Sequence, residues 1–249
     1  MRLPGNARYE LKFKIPHSLK QSLLESLQVD LKRDPHATKE GTYRVSSLYY
    51  DSPQLDAYWE KLDGVLHRQK YRLRYYGVAD GSPQAAFMEI KHRHDKTVSK
   101  ERIGLKSVEA GKLLNHSWNL SRLPEACLEP DRHRAAVSRI IRAFHASSLQ
   151  PIVVVSYIRE PWMGIHDTDL RVTFDMFGEA HGPEAFEAPG VVAGRPFMDR
   201  DDIILEIKFD RFLPRWLQQR LIAERLRPVR FSKYAEAIDA YRPAEERVG

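Results

Sequence analysis

Lys and Arg recur at alternate positions in several short segments, with Glu set between them, and any chemistry of this chain rests on that pattern. Glu10, Lys12 and Lys14 alternate with Leu11, Phe13 and Ile15, and Lys70, Arg72 and Arg74 with Tyr71, Leu73 and Tyr75. Glu89, Lys91 and Arg93 alternate with Met88 and Ile90; Lys100 shares a parity with Arg102; Glu206 and Lys208 oppose Ile203, Leu205, Ile207 and Phe209. Tyr157 with Arg159, and Arg171 with Thr173 and Asp175, form two further sets. In a strand, a period of two places each set on one face. Like charges lying opposite one another destabilise a sheet, so a face this rich in cations calls for a polyanion. Arg offers a planar fork to phosphate oxygens and Lys a point charge, and the mixture suits successive phosphates. The interspersed Glu residues would weaken a plain anion trap, but they are useful where a divalent cation bridges carboxylate and phosphate. No Ser-His-Asp or Cys-His constellation stands out. None is needed, because phosphoryl transfer proceeds by alignment and charge neutralisation without a covalent nucleophile from the protein.

The other polar residues read more plainly. His92 and His94 are spaced for one strand face but are expected to be exposed rather than metal-bound. Asp51 reads as a turn residue, and the single cysteine, Cys127, as inert; one cysteine excludes an internal disulfide and a Cys-based zinc site. Hydrophobic residues make up 42% of the 249-residue chain and charged residues 30%, with a formal charge of +6. That is a globular composition with a modest bias toward anionic partners. The start carries no apolar signal-like run, and no stretch approaches 18 uninterrupted apolar residues, so a cytoplasmic protein is expected, with any membrane role supplied by a membrane-protein partner. No helix-turn-helix, zinc finger or RNA-stacking signature is present, which argues against a nucleic-acid partner.

The elements that must carry the charged face are strands. Period-two patterning predicts strands at 8–15, 43–51, 67–77, 86–93, 98–104, 152–160, 170–176 and 203–210. Eight strands suffice to close a barrel without exposed edges. Helical spacing appears at 16–28, shortly after Ser107, and at 131–146, 214–226 and 232–241, the last with Ser232 as a plausible cap. Loops are expected at 34–41, 79–83, 119–130 and 178–196, the last being the best candidate for a mobile segment. The Trp216, Leu217, Leu221, Ile222 and Leu226 stripe of the basic run 214–230 reads as packing rather than a nucleic-acid helix. With no repeat and no linker, residues 1–249 read as one mainly β (α+β) domain, a closed eight-stranded antiparallel β tunnel with helices packed outside. If the apolar sides face those helices, the cations line the lumen, which is tolerable only when wet or neutralised by a ligand.

The segments RYELKFKI, SSLYYDS, HRQKYRLRYYG, FMEIKHRH, VSKERIGL, VVSYIREPW, DLRVTFD, ILEIKFD and VRFSKYAEAI, in this order, resemble the catalytic domain of the vacuolar transporter chaperone (VTC) family. That family contains polyphosphate polymerases of the triphosphate tunnel superfamily. The resemblance implies an eight-stranded tunnel in which the terminal phosphate of ATP passes to a growing polyphosphate chain with manganese or magnesium as cofactor. It assigns phosphate binding to Lys12, Arg72, Arg74, Lys91, Arg93, Lys100, Arg102, Arg159, Arg171, Lys208, Ser232 and Lys233. It assigns contact with the nucleotide or phosphate end to Tyr157, and metal binding to Glu206. The wider superfamily often opens with Glu-x-Glu-x-Lys, whereas this chain has Glu10-x-Lys12-x-Lys14. That departure disfavours a two-metal triphosphatase and moves the metal load to Glu206, with Glu89 and Glu10 as further candidates. The regulatory domain and membrane spans of the eukaryotic complexes are not in this sequence, so coupled translocation of product is not expected of it alone. Two other readings of the tunnel stand beside the polymerase: a triphosphatase hydrolysing triphosphate or nucleoside triphosphates, and a catalytically silent polyphosphate sensor.

Overall fold

Strand β1 (Arg8–Pro16) shows how the alternating pattern becomes architecture. Phe13 and Ile15 are buried on one side against helix α1 (His17–Leu27), while Glu10 and Lys12 point the other way toward the neighbouring strands' charges. The computed structural model describes residues 7–77, 83–106, 120–186 and 193–242. The remaining strands are β2 (Leu31–Arg33), β3 (Tyr43–Asp51), β4 (His67–Gly77), β5 (Pro83–His94), β6 (Thr97–Leu105), β7 (Gln150–Gly164), β8 (Arg171–His181), β9 (Arg195–Pro196) and β10 (Asp202–Phe209). The other helices are α2 (Asp56–Leu62), α3 (Leu123–Ala126), α4 (Pro130–Ala146), α5 (Arg215–Ala223) and α6 (Lys233–Tyr241).

All strand pairings are antiparallel, and eight strands close a barrel in the order β1-β10-β8-β7-β3-β4-β5-β6 and back to β1. The closing seam is short, with Arg8 opposite Val98 and Tyr9 opposite Thr97. Beyond the seam the free edge of β1 is used by a later segment, where the Val229 N–H donates to the Lys12 carbonyl at 2.8 Å. Strands β2 and β9 extend the sheet outside the barrel.

Two apolar clusters cover the outside. Leu48, Leu73, Met88, Ile90 and Ile103 pack under α3 and α4 through Leu123, Val137 and Ile140. Val172, Phe174, Leu205 and Ile207 pack under α1 and α5 through Leu23, Leu27, Leu217 and Leu221. The third cluster lies inside. Val45, Tyr49, Val153, Val155 and Tyr157 have the parity of the charged face, and they pack against Tyr234, Ala235, Ala237 and Ile238 of α6. The last helix therefore occupies one end of the barrel, whereas the sequence suggested helices on the outside only. Its Tyr234 hydroxyl donates to Asp51, whose carboxylate also accepts the N–H groups of Ala57 and Tyr58 at 3.0 and 3.2 Å. Asp51, expected as a turn residue, is instead the last residue of β3, and its carboxylate caps α2 from five residues upstream and ties it to α6.

All eight expected strands form. The segment after Met176, expected as loop, continues as strand: Phe177 takes a positive φ of 54°, the chain bulges, and Glu179 and His181 pair with Ser156 and Val154. Helix α3 interrupts the loop expected at 119–130, and α2 gave no signal in the sequence because its cap is not local. The helix expected after Ser107 lies outside the described residues. No helix among them is long and apolar enough to cross a membrane. Leu205 has no solvent exposure. Leu205→Ala is expected to lower the unfolding free energy by about 3 kcal/mol, from lost transfer energy plus the cavity left behind, read by urea denaturation.

Candidate functional site

The interior of the barrel is organised around four buried carboxylates. Strand register places a cation directly across from each: Lys12 opposite Glu206, Lys208 opposite Glu10, Arg72 and Arg102 on either side of Glu89, and Arg159 opposite Asp175. Glu89 has no solvent exposure. Arg72 reaches it with Nε at 2.8 Å and Nη2 at 2.7 Å, Arg102 Nε at 2.7 Å, Lys100 at 3.2 Å and Arg74 at 3.7 Å. Asp175 receives the fork of Arg159 at 2.6 and 2.7 Å and the Lys233 ammonium at 2.6 Å. Glu206 meets Lys12 at 3.7 Å, Lys233 at 3.8 Å, and Lys208. Glu10 meets Lys91 at 3.2 Å, Lys12 at 3.3 Å and Lys208 at 3.9 Å. Burial alone would raise the pKa of these acids, but the surrounding cations outweigh it and hold all four below the ordinary carboxylate range.

The cations exceed what these acids compensate. Lys70, Lys91 and Lys100 lie side by side across β4, β5 and β6, three like charges in one row. Burial, reinforced by neighbouring cations, pushes Lys91 and Lys100 down to about 8 and Lys70 well below its usual range. Lys70 makes no ion pair among the described residues; its ammonium donates to the Ser232 hydroxyl at 3.2 Å and lies over the Tyr234 ring. Two phenols take part. Arg72 donates to the Tyr49 hydroxyl at 2.9 Å and Arg102 to that of Tyr76 at 2.8 Å. Burial opposes ionisation of Tyr76, yet Arg74, Arg102 and Lys100 draw it down to about 7.

Of the residues read from the sequence, Lys12, Arg72, Arg74, Lys91, Lys100, Arg102, Arg159, Lys208 and Lys233 meet in this interior. Ser232 caps α6, accepting the Ala235 N–H at 3.4 Å, and also accepts Lys70. Tyr157 is buried, its ring facing Arg159 and Lys233 at 5.3 and 4.8 Å. Two residues stand apart. Arg93 bonds the Asp95 carbonyl at an exposed position, and Arg171 turns to the carbonyls of Thr168 and Leu170 in its own loop. Both keep the inward parity, but each lies at a strand end where a nearby carbonyl competes for the guanidinium. Asp175 and Lys70 were not singled out as site residues, although their parity matched the set; Tyr49 and Tyr76 were overlooked because aromatic residues read as packing. His92 pairs with Glu101 at 3.0 Å, and His94 lies against His67.

Among the described residues no three His, Cys, Asp or Glu side chains converge as a ready metal site. Glu89 does not suit a metal, because its oxygens are closed off by four cations. Glu206 and Glu10 suit one better. They share Lys12 and Lys208 on adjacent strands, and Thr173, directly across from Glu206, holds a buried hydroxyl with no hydrogen-bond partner. Two carboxylates and an orphaned hydroxyl fit an ion of the magnesium kind that takes its other oxygens from phosphate and water.

A match to the family described as "VTC domain" covers residues 7–242. Vacuolar transporter chaperone complex subunit 4 of Trypanosoma brucei brucei is 25% identical over 226 residues, spanning 78% of this chain and 28% of that protein. The subunit 4 of Trypanosoma cruzi is 25% identical over 254 residues, spanning 82% of this chain and 30% of that protein. The chain thus spans less than a third of the length of these relatives. A solved structure of a protein from Pyrococcus horikoshii covers 93% of this chain and 97% of its own, at 13% identity and a TM-score of 0.44.

The lysine row has a consequence for stability. Lys91 and Lys100 titrate near 8 in the folded protein against an ordinary 10.5, so between these values the unfolded chain binds more protons and stability rises with pH. Tyr76, near 7 against an ordinary 10.0, acts in the same direction. The unfolding free energy of the ligand-free protein is expected to increase from pH 8 to pH 10 in urea titrations. A decrease across that window would show that the row is not desolvated.

Proposed function

This chain belongs to the VTC domain family, and from that premise we propose that its barrel is a metal-dependent polyphosphate polymerase, transferring the terminal phosphate of ATP to a growing polyphosphate chain. The observation that carries this reading is the row of Lys70, Lys91 and Lys100, whose positive charge exceeds that of the carboxylates beside it. Such a row is unfavourable as it stands, and successive phosphates relieve it.

The residues divide the work by position. Arg72, Arg74 and Arg102 are held in fixed orientation by Glu89, so they present N–H groups to phosphate oxygens without reorganising. Lys233, carried by α6, and Arg159 are fixed on Asp175, and from there they would align the reacting phosphates. Glu206 with Glu10, and Thr173 beside them, would hold a manganese or magnesium ion, which would supply neutralisation of charge on the transferring group. Loss of Glu206 affects binding and turnover differently, because its carboxylate repels phosphate directly.

Incubation of the purified protein with ATP and manganese or magnesium, with products resolved by gel, tests the proposal. Chains of increasing length are expected. Release of orthophosphate without chains would replace the polymerase by a triphosphatase, and binding of triphosphate without turnover would make the protein a polyphosphate sensor. Glu206→Gln is expected to keep or raise triphosphate affinity by calorimetry. Its turnover should fall by at least the roughly 10–100-fold typical of losing an outer-shell metal partner.

A further inference from the structure

His67 and His94 stand directly opposite each other in the pairing of β4 with β5, at the strand ends far from the segment that joins them. Both have the parity of Tyr71 and Ile90, the outer side of the sheet, and both are exposed. Opposed side chains on antiparallel strands lie close enough to touch. Here the rings meet edge to face with centroids 4.7 Å apart, and their Nδ1 atoms are 2.7 Å apart. A neutral imidazole carries one proton, so at least one of these nitrogens turns a bare lone pair toward the other. Spacing along the sequence singles out His92 with His94, but His92 is taken by Glu101, and the fold supplies His67 in its place.

The backbone around the pair is held from several sides. The Asp95 N–H donates to the Leu66 carbonyl at 2.9 Å, and Arg93 Nε to the Asp95 carbonyl at 2.8 Å. The Thr97 hydroxyl donates to the His94 carbonyl at 3.0 Å, and the Arg68 guanidinium to the Val65 carbonyl. Beside the rings opens a cavity of about 320 Å³, walled by Asp56 and Glu60 of α2 and by His67, Arg68, Arg93 and His94 of the two strands. Burial, with Asp51 and Asp56 close by, pushes the pKa of Glu60 up, so this wall gains from a cation. Converging imidazole nitrogens select a borderline ion such as zinc, whereas magnesium and manganese prefer the oxygen donors found inside the barrel.

We propose that His67 and His94 bind a zinc-class transition-metal ion through their Nδ1 atoms on the outer wall of the barrel, its remaining positions open to water in the cavity. The ion takes the place of the proton between the rings. That proton passes through solvent to Nε2 of its own ring, so two neutral imidazoles accept the ion without net proton loss. Tetrahedral zinc with bonds of about 2.0–2.1 Å sets two ligand nitrogens roughly 3.3 Å apart, so the rings need to part by only about half an ångström. Occupancy clamps together the ends of β4 and β5, the strands that carry Lys70 and Lys91. The site does not depend on what the barrel interior binds.

The chain has ten histidines, so the test compares positions. Metal-free wild type, His67→Ala, His94→Ala and His145→Ala are titrated with zinc by calorimetry in excess magnesium, His145 being an exposed histidine on α4. One zinc ion is expected to bind wild type and His145→Ala with equal affinity, and the other two variants roughly tenfold or more weakly. Absence of zinc binding to wild type, or unchanged affinity in His67→Ala and His94→Ala, overturns the proposal. An equal loss in His145→Ala does so too. A measurement on wild type alone guards against poorly folding variants. Zinc is expected to protect His67 and His94, but not His145, from diethylpyrocarbonate, which attacks a free ring lone pair. Equal labelling of His67 and His94 with and without zinc reduces the pair to a hydrogen bond and overturns the metal site.

Discussion

The placement of more positive than negative charge inside a closed barrel is the constraint on which the rest of the structure depends. Each ammonium or guanidinium taken from water loses several kcal/mol of hydration, recovered only when an anion meets it in good geometry. Glu10, Glu89, Asp175 and Glu206 supply that geometry, each shared among several cations. The sharing leaves every cation oriented and few fully neutralised. The interior is therefore rigid and still attractive to anions, which is the state that preorganised recognition of phosphate requires.

The fold secures this arrangement from outside and from one end. Two apolar clusters clamp the outer faces of the strands, and a slip of one residue in any of them would exchange Leu and Ile for Lys and Glu. Register and charge pattern thus protect each other. At one end α6 enters the barrel, buries Tyr234 and Ile238 against inward-facing Val and Tyr, and delivers Lys233 to both Asp175 and Glu206.

Within the tunnel pattern that the sequence resembles, Lys12 is the departure with the clearest structural meaning. Its ammonium lies 3.3 Å from Glu10 and 3.7 Å from Glu206 and also donates to the Phe231 carbonyl at 3.0 Å. A second carboxylate at this position would add repulsion that needs a further metal ion. The lysine places a fixed charge there instead; burial alone would lower its pKa, but Glu10 and Glu206 outweigh it and hold the pKa above the ordinary lysine range.

Parity was enough to read the barrel and most of its interior from the sequence, because a strand shows its two faces at every second residue whatever surrounds it. That is why Arg72, Arg74, Lys91, Arg102 and Lys208 could be placed together before any fold was known, and why the closed eight-stranded sheet was foreseeable. Parity does not say how far along the barrel a residue lies or what competes for it. Arg93 and Arg171 keep the inward phase yet bond carbonyls at strand ends, and Glu89, equivalent to Glu206 by pattern, is closed off by the cations that only register brings around it. Nor does a helical stripe say which side of a sheet it will cover. The apolar face of α6 read the same as that of α5, and only the closed barrel, with Val45, Val153 and Val155 unpaired on its inner wall, decided that one helix packs outside and the other within.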